Sequence, residues 1–317
     1  KLDEENERTL KSTIDVYRKL GAILTFDCTP FFENNVPRFG EICSFSASGG
    51  AVYVNSVLGA RTNREAAQSA MCAAITGVTP EYGLLLEQNR AGDVLIQVEA
   101  DVDSEYDYEL LGYITPKKMG QAYHCPVFNG LSKQTTSEQL MDLGTQLNIH
   151  GIVPMFHVAG VTPEAADVHT AFLGRKDPPV VTITNEDLAQ ARAEISAGTG
   201  KADFCILGCP HLTINQVGSI AKMLDGQQLA GQLYIFTSTS TKELAQRMGY
   251  LDIIHKAGGE IVINSCVDQP CWSHLYGMSG VTESPKCAYY TKRWNMTFTV
   301  KSIPACIQSV LKGEIVS

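Results

Sequence analysis

The hydrophobic positions at the start of the chain recur every three or four residues. Between residues 3 and 20 they lie among charged residues, an arrangement that predicts an amphipathic helix. These positions are Leu10, Ile14, Tyr17 and Leu20. Gly21 follows directly, and because glycine commonly ends helices we expect the helix to stop there. The next apolar run, residues 22–26, has the length of a short strand.

Two later segments of the first half are also patterned. Residues 63–76 are rich in strong helix formers, begin with a capping Asn63 and stop at Gly77, which predicts a buried helix. From Val94 to Val102 apolar residues alternate strictly with other residues, which is the period of a strand with one solvent-exposed face. The first half is therefore predicted to contain both helices and strands.

Predicted strands and helices alternate regularly in the second half. The strands are residues 152–158, 180–184, 203–207, 233–237 and 260–264, and the helices are residues 163–172, 185–195, 213–225 and 241–257. Nearly all-apolar strands separated by helices predict an α/β fold of mainly parallel sheets covered by helices. Periodicity lapses in the polar stretch 130–138, so we expect two α/β regions, residues 1–135 and 136–317.

Composition and charge restrict the possible functions. The 317 residues are 44% hydrophobic, which is enough for about two folded domains. The net charge of −9 repels phosphate backbones and anionic membranes, so neither nucleic acid nor a membrane is an expected partner. No apolar run approaches the roughly 20 residues that a bilayer span needs. The mixed charge of the first residues is unlike a signal peptide, which predicts a cytoplasmic protein.

Three of the ten cysteines follow predicted strands. Cys28, Cys209 and Cys266 each lie where a strand gives way to a loop, and ligands gather at the carboxyl ends of parallel strands. Three converging thiolates would suit an iron–sulfur cluster with one iron that lacks a cysteine ligand. The alternative, equally consistent with position alone, is that these cysteines pack as small apolar residues. Apolar packing is expected for four other cysteines, Cys72, Cys205, Cys287 and Cys306.

Several blocks of sequence resemble the large subunit of aconitase X. They include GAILTFDCTPFFENNVPRFGEIC, VYVNSVLGARTNREAAQSA, AAITGVTPEYGLLLEQNR, FHVAGVTPEA and ADFCILGCPH, and they occur in the family's order over most of the chain. The resemblance implies an aconitase-like fold and an iron–sulfur hydro-lyase that dehydrates a small hydroxy-carboxylate such as cis-3-hydroxy-L-proline or, alternatively, mevalonate 5-phosphate. By the same resemblance, Cys28, Cys209 and Cys266 match the three cysteines that bind the cluster.

The resemblance also implies a partner. Aconitase relatives take the catalytic base from a serine on a small swivelling domain, which we do not expect within this chain. We therefore expect a separate small aconitase X subunit, in a heterodimer, to supply the base. Many members read Glu-Ser-Ser where this chain reads Ala47-Ser48-Gly49, so a carboxylate and a hydroxyl that could position substrate are replaced.

The segment NSVLGARTNRE supplies candidate substrate-binding residues. Backbone N–H groups at a helix start, together with an arginine, suit a carboxylate or phosphate, although ordinary helix capping with solvated arginines would give the same pattern. His157 and His211 each follow a predicted strand and are expected to line the site. The complete candidate set is Asn55, Ser56, Arg61, Thr62, Asn63, Arg64, Glu65, His157 and His211.

Two other functions fit the same residues. A non-catalytic α/β module could retain the three thiols for a structural metal, with Ala47 and Gly49 marking lost catalysis. Alternatively, Cys209 beside His211 could act as a thiol nucleophile without iron.

Overall fold

A computed structural model describes residues 4–269 and 271–316 of the chain. The chain forms two compact units. The central unit comprises Thr29–Glu194, and the split unit combines Lys1–Cys28 with Ile195–Ser317. The boundary predicted after residue 135 falls inside the central unit.

The helices and strands are numbered in chain order. The helices are α1 (Glu4–Lys19), α2 (Ser48–Ser56), α3 (Ala67–Thr76), α4 (Glu105–Met119), α5 (Ser137–His150), α6 (Val168–Ala171), α7 (Asn185–Ser196), α8 (Ile214–Leu224), α9 (Thr239–Arg247), α10 (Tyr250–Ala257), α11 (Pro285–Tyr290) and α12 (Ile303–Lys312). The strands are β1 (Val94–Val98), β2 (Pro126–Asn129), β3 (His157–Val158), β4 (Val180–Ile183), β5 (Phe204–Leu212), β6 (Gln232–Thr237), β7 (Gly259–Val262), β8 (Ser279–Thr282) and β9 (Thr297–Val300).

The central unit contains a parallel sheet in the order β3-β2-β1-β4. Helices α4 and α5 begin with reciprocal capping boxes, formed by Ser104 with Asp107 and by Thr136 with Gln139. Most residues of both helices are buried, so neither shows the one-sided apolar period by which sequence analysis recognises a helix. This burial explains why neither helix was predicted.

The split unit contains a parallel sheet in the order β7-β6-β5-β8-β9. The chain fills one side of the sheet with β6 and β7, then crosses β5 to add β8 and β9 on the other side. Residues of β5 belong to two separate buried apolar clusters. One includes residues of the helices α8 and α12, and the other includes Trp272 and Leu275. The reversal of strand order places a topological switch point between β5 and β8, which is where open α/β sheets bind ligands.

The predicted fold class, α/β with parallel sheets covered by helices, is confirmed. Helix α1 matches its prediction, but none of its residues is buried. No described helix has both the length and the apolar character needed to cross a membrane.

Several local predictions were wrong. Residues 22–26 form no strand, and only residues 157–158 of the segment 152–158 do. Two helices, α9 and α10, replace the helix predicted over residues 241–257 because Gly249 adopts a left-handed conformation between them.

The helix predicted at residues 63–76 is shorter and less buried than expected. Helix α3 begins at Ala67 and contains no buried residue, although it does end at Gly77. Residues 61 and 64 instead form isolated parallel bridges with Ile42 and Phe45, and this extended backbone precedes the helix. Cys72 is consequently exposed, whereas the other three cysteines predicted to be in the core are buried.

Candidate functional site

Strand β5 is irregular where it carries Cys209. Leu207 pairs with Ile235 and Leu212 pairs with Thr237, so five residues of β5 advance where β6 advances only two. Gly208 begins this detour with a φ of 111°, and a Cβ at this position would lie 2.3 Å from the carbonyl oxygen of Phe236. Glycine is therefore required here, because any side chain would collide with the neighbouring strand.

Glu283 anchors the backbone of this detour. It directly follows β8, on the other side of the switch point, and is only 6% exposed. Its Oε1 accepts hydrogen bonds from the backbone N–H groups of Gly208 at 2.7 Å and Cys209 at 3.2 Å. Burial raises the pKa of Glu283, while these hydrogen bonds oppose the shift. The carboxyl group thus fixes the position of the Cys209 backbone.

His211 lies at the centre of a buried hydrogen-bond cluster. Its ring Nδ1 is 3.1 Å from Oδ1 of Asp27, and its Nε2 is 2.9 Å from the carbonyl oxygen of Ser265. Its backbone N–H donates to the sulfur of Cys28 at 3.1 Å. Burial lowers the pKa of His211, but the hydrogen bonds to Asp27, Cys28 and Ser265 outweigh this effect and raise the pKa to about 10. Both ring nitrogens therefore take part in hydrogen bonds, and Nδ1 also lies 3.5 Å from the backbone nitrogen of Cys28, whose N–H points to it.

The segments that carry the three predicted cysteines share a backbone feature. Phe26 and Asn264, each two residues before a cysteine, have φ values of 48° and 58°, and Gly208 directly precedes Cys209. A left-handed conformation is costly for a residue such as phenylalanine and occurs mainly where surrounding contacts enforce it. Each cysteine therefore follows a sharp local change of chain direction.

The three thiols lie within electrostatic reach of one another. Burial raises the pKa of Cys209, and the thiols of Cys266 and Cys28 raise it further, while the Lys286 ammonium lowers it. Cys266 is an exposed residue, yet partial desolvation of its thiol raises its pKa, with a contribution from Cys28. Neighbouring thiolates repel each other, so a bound cation would relieve this repulsion.

The donor atoms of Asp27, Cys28 and His211 lie within 4.8 Å of one another. Because both His211 ring nitrogens take part in hydrogen bonds, we interpret this group as a cluster that supports the thiols. The sequence analysis did not identify Asp27 or Glu283. Asp27 directly precedes Cys28 and Glu283 directly follows a strand, and these positions could have indicated them.

Most of the predicted substrate-binding residues lie in the central unit, where hydrogen bonds within the unit occupy them. The Asn55 amide donates to the carbonyl oxygens of Thr62 and Pro154 and accepts from the Thr62 N–H. The Ser56 hydroxyl accepts from the backbone of Phe156, and Thr62 is fully buried. These side chains therefore hold the backbone of the segment in place.

The remaining members of the segment differ in accessibility. Arg61 donates to the Leu85 carbonyl oxygen and pairs with Glu87. The Asn63 side chain bridges the backbone of residues 82 and 84 and does not cap α3. Arg64 is exposed, and its guanidinium donates a hydrogen bond to the Asn148 side chain. Glu65 accepts from the Ser69 hydroxyl.

A buried arginine that sequence reasoning overlooked organises this segment. Arg90 is 2% exposed and forms a bidentate ion pair with Glu164. Its guanidinium also donates to the Asn55 side chain and to the carbonyl oxygens of Asn55, Leu84 and Ala60. The Arg90 carbonyl oxygen in turn contacts Nε2 of His157 at 2.8 Å. His157 is thus a buried structural partner of Arg90.

A parallel sheet with Cys209 beside its switch point, linked through His211 to the segments of Cys28 and Cys266, defines the class: an α/β protein with cysteine-bearing loops joined by one buried histidine. Comparisons with known proteins identify the family. Residues 1–88 match the model of the aconitase X first domain, residues 92–193 that of the second domain, and residues 202–312 that of the third domain. The chain belongs to the aconitase X family.

Individual relatives agree with this assignment. The chain is 34% identical over 309 residues to the phosphomevalonate dehydratase large subunit of Thermococcus kodakarensis, covering 96% of this chain and 78% of the relative. It is 36% identical over 288 residues to the protein of the same name from Methanothermobacter thermautotrophicus, covering 90% and 70%. It is 34% identical over 264 residues to the cis-3-hydroxy-L-proline dehydratase of Pseudomonas aeruginosa, covering 80% and 45%.

A solved structure supports the fold. The holo-form of Thermococcus kodakaraensis aconitase X matches with a TM-score of 0.88 and 32% identity over 98% of this chain and 78% of that chain. The predicted aconitase-like fold is therefore confirmed. The named relatives are dehydratases, and because dehydratases are hydro-lyases the predicted enzyme class is confirmed at the level of the family.

Proposed function

We propose that this chain is the large subunit of an iron–sulfur hydro-lyase, with Cys28, Cys209 and Cys266 as cluster ligands. The observation that carries the proposal is the gathering of these three thiols within one unit, around the His211 hydrogen-bond cluster. The Lys286 ammonium favours the thiolate of Cys209, and a bound cation would relieve the repulsion between neighbouring thiolates that raises its pKa. Bound there, a cluster would supply Lewis acidity at an iron without a cysteine ligand.

The reaction removes water from a small hydroxy-carboxylate. A base takes a proton from one carbon, the hydroxyl leaves the neighbouring carbon, and a carbon–carbon double bond remains. Glu283 and His211 are occupied in holding the thiol segments, so we assign neither of them the role of base. We propose that a small subunit supplies the base, a proposal supported by the large-subunit names of several relatives.

The substrate class is an anion. Of the predicted substrate-binding residues, the exposed Arg64 best retains the capacity to bind a carboxylate or phosphate. Relatives of this chain are named for phosphomevalonate and for cis-3-hydroxy-L-proline, so both compounds belong in the assay.

The first test is metal content after anaerobic purification. We expect the wild-type chain to be brown and to contain iron and sulfide, Cys209→Ser to lose both, and Cys72→Ser to retain both because Cys72 is exposed in the central unit. A zinc-containing or metal-free wild-type protein would support a non-catalytic thiolate module instead. Activity that persists without iron and disappears on alkylation would support a thiol nucleophile.

The second test concerns the partner. Dehydration of each substrate is measured with the chain alone and with a candidate small subunit added. We expect turnover only when both are present. Full activity of the chain alone would refute the proposed division of the site.

A further inference from the structure

His211 contacts the chain segments of all three thiols. It lies two residues after Cys209 in β5, its Nδ1 contacts Asp27 directly before Cys28, and its Nε2 contacts Ser265 directly before Cys266. These segments are distant in sequence, and the strand pairings of β5 involve only one of them. A single imidazole ring therefore links three pieces of backbone.

The geometry leaves the ring no free nitrogen. His211 is 2% exposed and the Asp27 side chain 1%, so both groups are shielded from water. An imidazole whose two nitrogens both take part in hydrogen bonds is held in one orientation. The backbone N–H of His211 adds a further contact to the Cys28 sulfur at 3.1 Å. A substrate would have no ring nitrogen to bind, in contrast to the site-lining role predicted for His211.

We infer that His211 is a positioning residue, which ties together the three backbone segments that carry the thiols and holds them close before any metal binds. Phe26 and Asn264, which precede two of these segments, adopt a left-handed conformation that surrounding contacts must enforce. The hydrogen bonds of His211 provide such contacts. Asp27 orients the ring and completes the link to Cys28. The expectation that His211 strengthens metal binding by the thiols rests on the function proposed above. The expectation that His211 stabilises the three backbone segments does not.

The test compares His211→Gln with a matched control, His255→Gln, which makes the same change on the exposed surface of α10. Hydrogen exchange is measured on the full, metal-free chain. We expect exchange in the segments around residues 25–28 and 264–267 to become at least about tenfold faster in His211→Gln, as loss of buried hydrogen bonds predicts. We expect no change in His255→Gln.

A second variant separates the two links and serves if His211→Gln does not fold. In Asp27→Asn the link from His211 to Ser265 is retained, so exchange should accelerate around residues 25–28 and stay unchanged around residues 264–267. Unchanged exchange around residues 25–28 in Asp27→Asn and in a folded His211→Gln would overturn the inference.

A spectroscopic measurement distinguishes positioning of the thiols from a general structural role. Cobalt(II) is added to the metal-free protein, and thiolate-to-cobalt charge-transfer absorption is followed. We expect about tenfold weaker cobalt binding in His211→Gln than in His255→Gln. Faster exchange with undiminished cobalt binding would overturn the role toward the thiols. Failure of the wild-type chain to bind cobalt through thiolates would refute the proposed cluster site, and the exchange measurement would still decide the backbone role.

Discussion

Glu283 illustrates how one buried side chain fixes a reactive position. Its Oε1 accepts from two backbone N–H groups next to Cys209, where β5 leaves the regular sheet pairing. Main-chain donors in a detour have no strand partner, and a buried donor without an acceptor costs about 1–3 kcal/mol. The side chain therefore replaces the hydrogen bonds that a regular strand would provide.

Replacing Glu283 by alanine should destabilise the split unit by about 2–4 kcal/mol, because two buried N–H groups lose their acceptor. Glu283→Gln keeps a carbonyl oxygen in the same place and should cost less than about 1 kcal/mol. Urea unfolding followed by tryptophan fluorescence is a suitable measurement, since Trp272 and Trp294 both lie in the split unit. Equal unfolding curves for the two variants would contradict this account.

The roles of individual residues were only partly predictable. The three cysteines were selected from their positions at predicted strand ends, yet the run before Cys28 is not a strand, so its selection rested on a wrong element. His211 was predicted to line the site, and its backbone N–H donates to the Cys28 sulfur. Its hydrogen bonds to Asp27 and Ser265 could not be predicted, because contacts between distant segments leave no local pattern in the sequence.

The detour in β5 shows how an element can be adapted to a site. Gly208 lies at a φ of 111°, and its Cα is so close to Phe236 that a Cβ would be 2.3 Å from a carbonyl oxygen. Gly226 also has a positive φ, of 71°, but a Cβ there would meet nothing within 4 Å. A side chain at Gly226 would cost only backbone strain, whereas one at Gly208 would cost backbone strain and a steric collision. Comparing the two positions therefore isolates the cost of the collision.

Gly208→Ala should reduce the free energy of unfolding by about 2–5 kcal/mol, from conformational strain plus displacement of β6. Gly226→Ala should reduce it by about 1–2 kcal/mol, from conformational strain alone. Tryptophan fluorescence in urea again reports on both variants. A Gly208→Ala protein no less stable than Gly226→Ala would show that β5 and β6 separate easily.

Elements were predictable where burial is one-sided. The alternating strands and helices from β4 to β7 were largely anticipated, because each helix there has one polar face. Helices α4 and α5 escaped prediction because they are buried on most faces. The segment 63–76 failed for a different reason: its second residue, Arg64, pairs with Phe45, a tertiary contact that overrides helix propensity.

At the scale of the whole molecule, His157 makes the free energy of unfolding depend on pH. Burial lowers the pKa of His157, while its hydrogen bond to the Arg90 carbonyl and the charge of Glu164 act in the opposite direction. Its Nδ1 has no hydrogen-bond partner among the residues that the structure describes. Protonation in the folded state would therefore place a charge in a site that cannot solvate it.

Stability should accordingly fall as the pH drops below about 6.5, the ordinary pKa of histidine, because the unfolded chain then binds more protons than the folded chain. The contribution of His157 is at most about 1.4 kcal/mol per pH unit. His157→Gln removes this titration, so its free energy of unfolding, followed by circular dichroism, should decline less steeply between about pH 7 and pH 5. An equal pH dependence of the free energy of unfolding in the wild-type chain and in His157→Gln would contradict this role of His157.

The sequence by itself determined the α/β class, the strands β5, β6 and β7 of the split unit and the family, because strand periods and family blocks are local patterns. The tertiary structure alone decided the strand order with its switch point between β5 and β8, and the division into a central and a split unit. It also decided that Asp27, His211 and Ser265 share one hydrogen-bond cluster. These features depend on contacts between residues far apart in the chain, whose energies are set by packing and burial and not by neighbours in sequence.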